Sequence, residues 1–319
     1  MRLTTEDWSF EGAQAKAKKI LIHNRNAHLF KEGDRKFNFV IETELQTYQS
    51  IITEGLRIYL DNLVLDNGEE IRVLVFHCSE RAYFEYFVEI LNRIITESDN
   101  ENFEARAREV VQIWIRFYQK PRKPQLTDSL ILGLLGELNS IKDLLEQGLD
   151  KTLVLEAWTG PDQESKDFSF ENSYLETKAS KKADGHIHKI NGIDQLDSHG
   201  KDLFLSSYHF SESSQGDCFT LNSLIEKLNL NEFCPVGLEL DFYDKLYAYG
   251  YDRRDEISYE KYSYVLNSSK HFKVEDDFPS IVASSFIVPL PFNISGLTYN
   301  VDLNPVEEIN FNLISREIS

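Results

Sequence analysis

Three features of the sequence predict an α/β fold. Residues 129–147 place apolar side chains at helical spacing, residues 166–180 alternate apolar and charged positions like a hairpin, and an apolar strand at 202–208 follows a short helical segment at 192–197. Helix, strands, helix, strand is the order that builds a sheet flanked by helices.

Ahead of this region, stretches at 37–45, 56–65 and 71–77 are rich in Ile, Val, Phe and Tyr and read as strands, the last two joined by the turn signal Asp66-Asn67-Gly68. Phe84, Phe87, Val88, Leu91 and Ile95, then Val110, Ile113, Trp114 and Phe117, recur at helical spacing and predict amphipathic helices over 81–96 and 103–119. These elements form an N-terminal α+β domain, 1–124. It is closed by Lys120-Pro121-Arg122-Lys123-Pro124, where the prolines cannot continue a helix.

Asp128 is the expected N-cap of the next helix and Gly148 its left-handed terminator. Residues 153–158 read as a strand, so a core over 125–215 follows. From Phe219 one short helical stretch precedes Tyr-rich and Val-rich segments punctuated by Pro279, Pro289, Pro291 and Pro305, which predicts a β-rich C-terminal extension, 216–319. The length of 319 residues is consistent with two compact units or one core with extensions.

The N-terminus is polar and carries Glu6 and Asp7 where a secretory signal would be basic and then apolar, and no apolar run approaches the ~20 residues that span a bilayer. A cytoplasmic protein with no membrane partner is expected. Cys78, Cys218 and Cys234 are widely spaced, form no C-x-x-C pair and read as reduced, buried thiols. A net charge of −19 argues against a protein that coats DNA through Lys and Arg. It is compatible with a carboxylate-lined metal site gripped to nucleic acid by a local basic strip or a basic partner. No phosphate-binding G-x-x-x-x-G-K-[ST] loop and no G-x-S-x-G elbow occurs.

Within 129–147, at about 100° per residue, Leu130, Leu134, Leu138, Ile141, Leu144 and Leu145 make an apolar stripe, with Asn139, Asp143, Glu146 and Gln147 opposite. Glu137 falls inside the stripe, where an ionised carboxylate is costly unless it is paired or bound to a cation. In the hairpin, a turn centred on Asn172 and Ser173 sets Asp167 opposite Lys178 and Ser169 opposite Glu176. Asp167, Ser169, Glu176 and Lys178 then share one face, with Phe168, Phe170, Leu175 and Thr177 on the other. Carboxylates on adjacent strands suit a shared Mg²⁺, and a lysine beside them can orient or deprotonate a water or stabilise phosphorane-like charge. Asp162, in Pro161-Asp162, also precedes Glu176 at a tolerable distance; Asp167 is favoured because Asp162 follows Gly160-Pro161 in a loop.

Gly133-Leu134-Leu135-Gly136-Glu137-Leu138, Ala157-Trp158-Thr159-Gly160-Pro161, Lys166-Asp167-Phe168, Leu175-Glu176-Thr177-Lys178-Ala179 and Asp194-Gln195-Leu196-Asp197 together resemble a PD-(D/E)XK family found in bacterial restriction and phage-defence gene clusters. Phe278-Pro279-Ser280-Ile281 and Leu297-Thr298-Tyr299 echo it more weakly. The resemblance implies a restriction-endonuclease-like core, a mixed central sheet flanked by helices. It implies Glu137 as the acid of the core helix, Asp167 and Glu176 as further metal ligands, Lys178 as the catalytic lysine, and Gln195 as a glutamine of the following helix that touches DNA or organises the site.

The expected activity is Mg²⁺-dependent endonucleolytic cleavage of DNA, with Mn²⁺ able to substitute, in a restriction or anti-phage system with protein partners and a homodimer as one arrangement for paired cuts. An RNA nuclease and a non-catalytic assembly subunit that keeps the fold are the alternatives. Lys181, Lys182, His186, His188 and Lys189 form the most basic short stretch near the site and are candidate nucleic-acid contacts. His186 and His188, beside Asp184, are also a weak pattern for a transition metal.

Overall fold

The computed structural model describes residues 2–9, 17–32, 35–53, 55–65, 68–118, 120–162, 164–233, 236–275, 277–288, 291, 293 and 296–318, with the side chains of 82, 114, 117, 118, 230, 236 and 237 excepted. The chain divides into two compact units, Met1–Pro121 and Arg122–Ser319. Asp66 and Asn67 of the expected turn, Cys234, Pro289 and the side chains of Trp114 and Phe117 lie outside the described residues.

The first unit is an antiparallel sheet with two helices on one face. Strands β1 (Lys18–Ile22), β2 (Arg25–Glu32), β3 (Lys36–Glu42), β4 (Ile51–Ile52), β5 (Leu56–Val64) and β6 (Glu70–Cys78) assemble in the order β1-β2-β3-β6-β5-β4. Strand alternation points Leu29, Phe39, Ile58 and Phe76 to one face, where α1 (Phe84–Glu97) and α2 (Phe103–Tyr118) bury Phe87, Leu91, Phe103 and Val110 against them. The three predicted strands correspond to β3, β5 and β6. β1, β2 and β4 were not predicted, because their apolar positions are few or interleaved with Lys, Arg, Asn and His.

The second unit opens with α3 (Asp128–Glu146). Its N-cap is Thr127, not Asp128: the Thr127 hydroxyl accepts from the Leu130 N–H, an interaction of about 1 kcal/mol. Gly148 follows with φ +87°, the left-handed geometry expected of it. Residues expected as a strand at 153–158 are instead the helix α4 (Lys151–Ala157), because Asp150 caps it by accepting from Thr152 and Leu153. Strands β7 (Phe168–Ser169), β8 (Ser173–Ser180), β10 (Asp202–Glu212) and β11 (Tyr264–Lys273) form a mixed sheet in the order β11-β10-β8-β7, with β10 parallel to β8 and antiparallel to β11.

α3 packs on one face of this sheet. A Cβ added at Gly136 would stand 3.1 Å from both Thr177 Cγ2 and Ala179 Cβ, so glycine permits the close approach. The other face carries Leu205 and Phe272. It is covered by the antiparallel pair β9 (Ile187–Asn191) and β12 (Thr298–Asp302), with Ile190, Leu196, Phe278 and Val301 in the cluster. The weak echoes at Phe278 and Thr298 therefore belong to the same compact unit as the core.

No helix forms at 192–197. Gly192 has φ +98° and the segment is a turn closed by Asp197 N–H to Asp194 C=O at 3.2 Å. The segment after residue 216 is more helical than expected, with α5 (Leu221–Leu228), α6 (Val236–Tyr249), α7 (Glu256–Tyr259) and α8 (Phe311–Ile318) beside β11 and β12. In α6 the Tyr-rich composition suggested strand, but burial recurs at Glu239, Phe242, Tyr243 and Leu246, a helical period. Cys78 is buried and Cys218 exposed, so the expectation of burial fails for Cys218. Among the described residues no helix is long and apolar enough to cross a membrane.

Candidate active site

The hairpin register decides which carboxylates meet. Phe168 pairs with Leu175 and Ser169 with Tyr174, and Phe170 N–H donates to Ser173 C=O around the loop residues Glu171 and Asn172. The pairing is therefore displaced by two residues from the expected one, which had Asp167 opposite Lys178. Asp167, directly before Phe168, instead stands across from Glu176. A shift of two conserves the side-chain faces, so Tyr174, Glu176 and Lys178 still share one face, joined by Leu205 and Ser207 of β10 in the parallel register.

Glu176 is 1% exposed. Its Oε1 accepts from Lys178 Nζ at 2.6 Å, while its Oε2 is buried and has no hydrogen-bond partner. Asp167 Oδ2 accepts from the Thr177 N–H at 2.7 Å. Burial, then the negative charge of Glu176, pushes the Asp167 carboxyl up to about 7. Lys178 also donates to Gln195 Oε1 at 3.1 Å, and the same oxygen accepts from the Asn191 N–H at 3.0 Å. Burial alone would lower the Lys178 ammonium, but Glu176 and Asp167 outweigh it and hold it above its ordinary value.

Glu137 reaches this group from α3. Its Oε2 accepts from Trp158 Nε1 at 2.6 Å, the Tyr249 hydroxyl is a second donor to the carboxylate, and burial followed by repulsion from Asp167 raises the carboxyl well above the ordinary range. A Cβ at Gly160 would lie 2.3 Å from Glu137 Oε2, so any larger residue would displace the carboxylate from this position. Trp158 is held in turn by an isolated bridge to Phe168 and by Lys245, which donates to its carbonyl. The apolar stripe of α3 is rotated from the expected one: Leu130 is 45% exposed, while Ile131 and Asn139 are buried.

The structure thus brings together Glu137, Asp167, Glu176, Lys178 and Gln195, with Gln195 on a turn where a helix was expected. Asp162 is exposed and lies 3.8 Å from Lys245 Nζ. His186 and His188, candidate nucleic-acid contacts by sequence, are buried side chains at 3% and 4% exposure. Ser207 Oγ lies 2.6 Å from His186 Nδ1 and from His188 Nε2, and burial, followed by the nearby Lys178 charge, lowers His188 to about 3. Lys181, Lys182 and Lys189 are exposed, Lys181 in an ion pair with Glu212 at 2.5 Å. Trp158, Tyr249, Gly160 and Lys166 are parts of the site to which no role was assigned from sequence, although Trp158, Gly160 and Lys166 lie inside the motif segments.

Among the described residues no three His, Cys, Asp or Glu side chains are arranged as a ready-made ligand set. Each of the three carboxylates accepts from a protein donor: Glu137 from Trp158, Asp167 from Thr177 and Glu176 from Lys178. They nonetheless suit a hard divalent cation: the donors are all carboxylate oxygens, burial and mutual repulsion raise Glu137 and Asp167, and the buried Glu176 Oε2 has no hydrogen-bond partner although Oε1 is paired with Lys178.

A family profile described as "Putative PD-(D/E)XK family member, (DUF4420)" matches residues 16–304. No curated protein and no solved structure matches the chain. The match extends over most of the chain and contains every residue of the group just described, so the protein belongs to this PD-(D/E)XK family.

Proposed function

We propose that the protein is a Mg²⁺-dependent endonuclease that hydrolyses DNA phosphodiester bonds, with Mn²⁺ able to replace Mg²⁺. The observation that carries this reading is the Asp167–Glu176–Lys178 group around the buried Glu176, which keeps an unpartnered carboxylate oxygen. Asp167 and Glu176 would hold the ion, with Glu137 behind them. When bound, it would neutralise phosphate charge and acidify a water.

The chain's own contribution is positional. Of the three N–H donors on the Lys178 ammonium, two are directed at Glu176 and Gln195. The third can be given to a phosphate oxygen or to the attacking water, at a point fixed by the other two. Thr177 N–H fixes Asp167, and Trp158 fixes Glu137, so the acids need little reorganisation when substrate arrives. A role in bacterial restriction or phage defence, with partner proteins supplying recognition, is supported by the motif resemblance and by the acidic net charge of −19.

A second reading, a non-catalytic assembly subunit of such a system, is favoured by one observation: the three carboxylates are not arranged as a ligand set. Supercoiled plasmid, linear duplex and RNA incubated with the protein in Mg²⁺ or EDTA distinguish the two. DNA cleavage that requires Mg²⁺ and falls about 10²–10³-fold in Lys178→Ala is expected; equal cleavage by the variant removes the assignment, and preferential RNA cleavage changes the substrate. Mn²⁺ is expected to raise the melting temperature of wild type but not of Glu176→Ala, and no rise in either supports the assembly reading.

A further inference from the structure

Lys166 lies beside the metal-binding acids and has no part in the mechanism above. It is only 3% exposed. Its ammonium donates to the backbone carbonyl of Asp194 and, at 2.8 Å, to that of Gln195, and it stands 5.9 Å from the Tyr174 ring centroid. Burying an ammonium costs several kcal/mol unless its donors are satisfied, and an uncharged side chain would fill the same space without that cost. The carbonyls that satisfy it belong to the 192–197 turn, which has no helix to order it. The one side chain of that turn bonded to the catalytic group is Gln195, through its Oε1 to Lys178.

The other end of Lys166 is equally fixed. Its carbonyl accepts from Thr159 Oγ1 at 3.0 Å, and the carbonyl of the next residue, Asp167, accepts from the N–H groups of Thr159 and Gly160. One side chain therefore ties the strand start that carries Asp167 to the turn that carries Gln195, and Gln195 in turn fixes the direction of the Lys178 ammonium. We propose that Lys166 is a positioning residue of the catalytic centre: its buried ammonium pins the 192–197 turn so that Gln195 aims Lys178. The inference rests on the nuclease reading for its kinetic consequence, but its structural consequence stands apart from activity.

The test is a double-mutant cycle of Lys166→Met and Gln195→Ala, read by single-turnover cleavage in Mg²⁺, by DNA binding in Ca²⁺, and by amide hydrogen exchange. Lys166→Met is expected to slow the chemical step about 10- to 100-fold and leave DNA affinity within about twofold. The Gln195→Ala background should abolish any further loss, since the lysine acts through the glutamine. Exchange across 193–197 should quicken about tenfold while that of Ser173–Ser180 is unchanged. If Lys166→Met does not fold, Lys166→Gln, whose shorter side chain cannot span to both carbonyls, carries the same cycle. Rate losses that multiply in the double variant, or unaltered exchange in the turn, overturn the inference. A wild type that does not cleave overturns the nuclease reading instead, and the tether is then decided by the exchange data alone.

Discussion

The two units of this chain bury different chemistry. Among the described residues the first unit buries only Asn38 and Thr43 as polar side chains, whereas the second buries 17, including Glu137, Lys166, Glu176, His186 and His188. The larger size of the second unit does not account for such a difference. Where the first unit carries charge, as in the Arg25–Glu104 pair at 2.6 Å, both side chains keep contact with water. A sheet face that serves only packing is filled with Phe, Leu, Ile and Val. The sheet of the second unit instead accepts the desolvation of acids and a lysine, and such groups persist at sites whose function uses them.

The comparison can be broken most sharply by one substitution in each unit. Phe39, fully buried between sheet and helices, makes an edge contact with Phe76 at 5.5 Å. Phe39→Ala is expected to cost about 3–5 kcal/mol of unfolding free energy and to leave the cleavage rate below the melting transition unchanged. Asp167→Asn should do the opposite. The unfolded carboxyl loses its proton near 3.8 and the folded one near 7, so stability is lost as pH rises through this window, and by pH 8 the metal-free protein bears the full cost. Because Asp167 keeps partial contact with solvent, the asparagine variant should gain about 1–2 kcal/mol, while cleavage falls about 10²-fold or more. Chemical denaturation of both variants at pH 8, with and without Mg²⁺, measures it; a destabilised Asp167→Asn would show that the site's charges are compensated within the fold.

Sequence reasoning recovered the faces of this site better than its contacts. The turn residues were misplaced and the register was displaced by two, yet Glu176 and Lys178 stayed on one face because side-chain direction depends only on parity. Glu137 was legible because an acid in an apolar stripe is locally anomalous. Trp158, Tyr249 and Lys166 had no such signal: their partners lie 21 or more residues away in Glu137, Asp194 and Gln195, or on a different helix. The run Leu153-Val154-Leu155 is too short for periodicity to separate strand from buried helix, and the Asp150 cap decided the matter. The burial of the two histidines has no sequence signal either: the partners that satisfy them, Ser207 and Ser268, come from distant strands.

Those buried histidines sharpen the comparison through pH. His271 of β11 stands against Phe311, with ring centroids at 4.6 Å, and lies 2.9 Å from Ser206 Oγ through its Nδ1. Burial, and then the nearby His186, lowers it to about 4. The unfolded chain takes up this proton near 6.5, so stability is intact above that value and falls as pH drops toward 4. His271→Gln is expected to remove about 2–3 kcal/mol of the stability difference between pH 7 and pH 4, measured by urea unfolding across that range. An unaltered slope would assign the acid lability to other groups.

The smallest expected effect separates the exposed lysines from everything beneath them. Lys182 and Lys189 are exposed, and Lys189 alternates along β9 with the buried His188 and Ile190. Their replacement by alanine should alter stability by no more than about 0.5 kcal/mol, because both side chains face solvent. If this strip grips the phosphate backbone, each lysine removed lowers the slope of log affinity against log salt by about 1, so the pair should lower it by about 2. Lys181→Ala should change it less, since Lys181 is already paired with Glu212. Equilibrium binding to a short duplex in Ca²⁺ at several salt concentrations measures these slopes. An unchanged slope in the Lys182→Ala, Lys189→Ala double variant would move the nucleic-acid grip off this strip, to other cations of the chain or to a partner, as the net charge of −19 would then require.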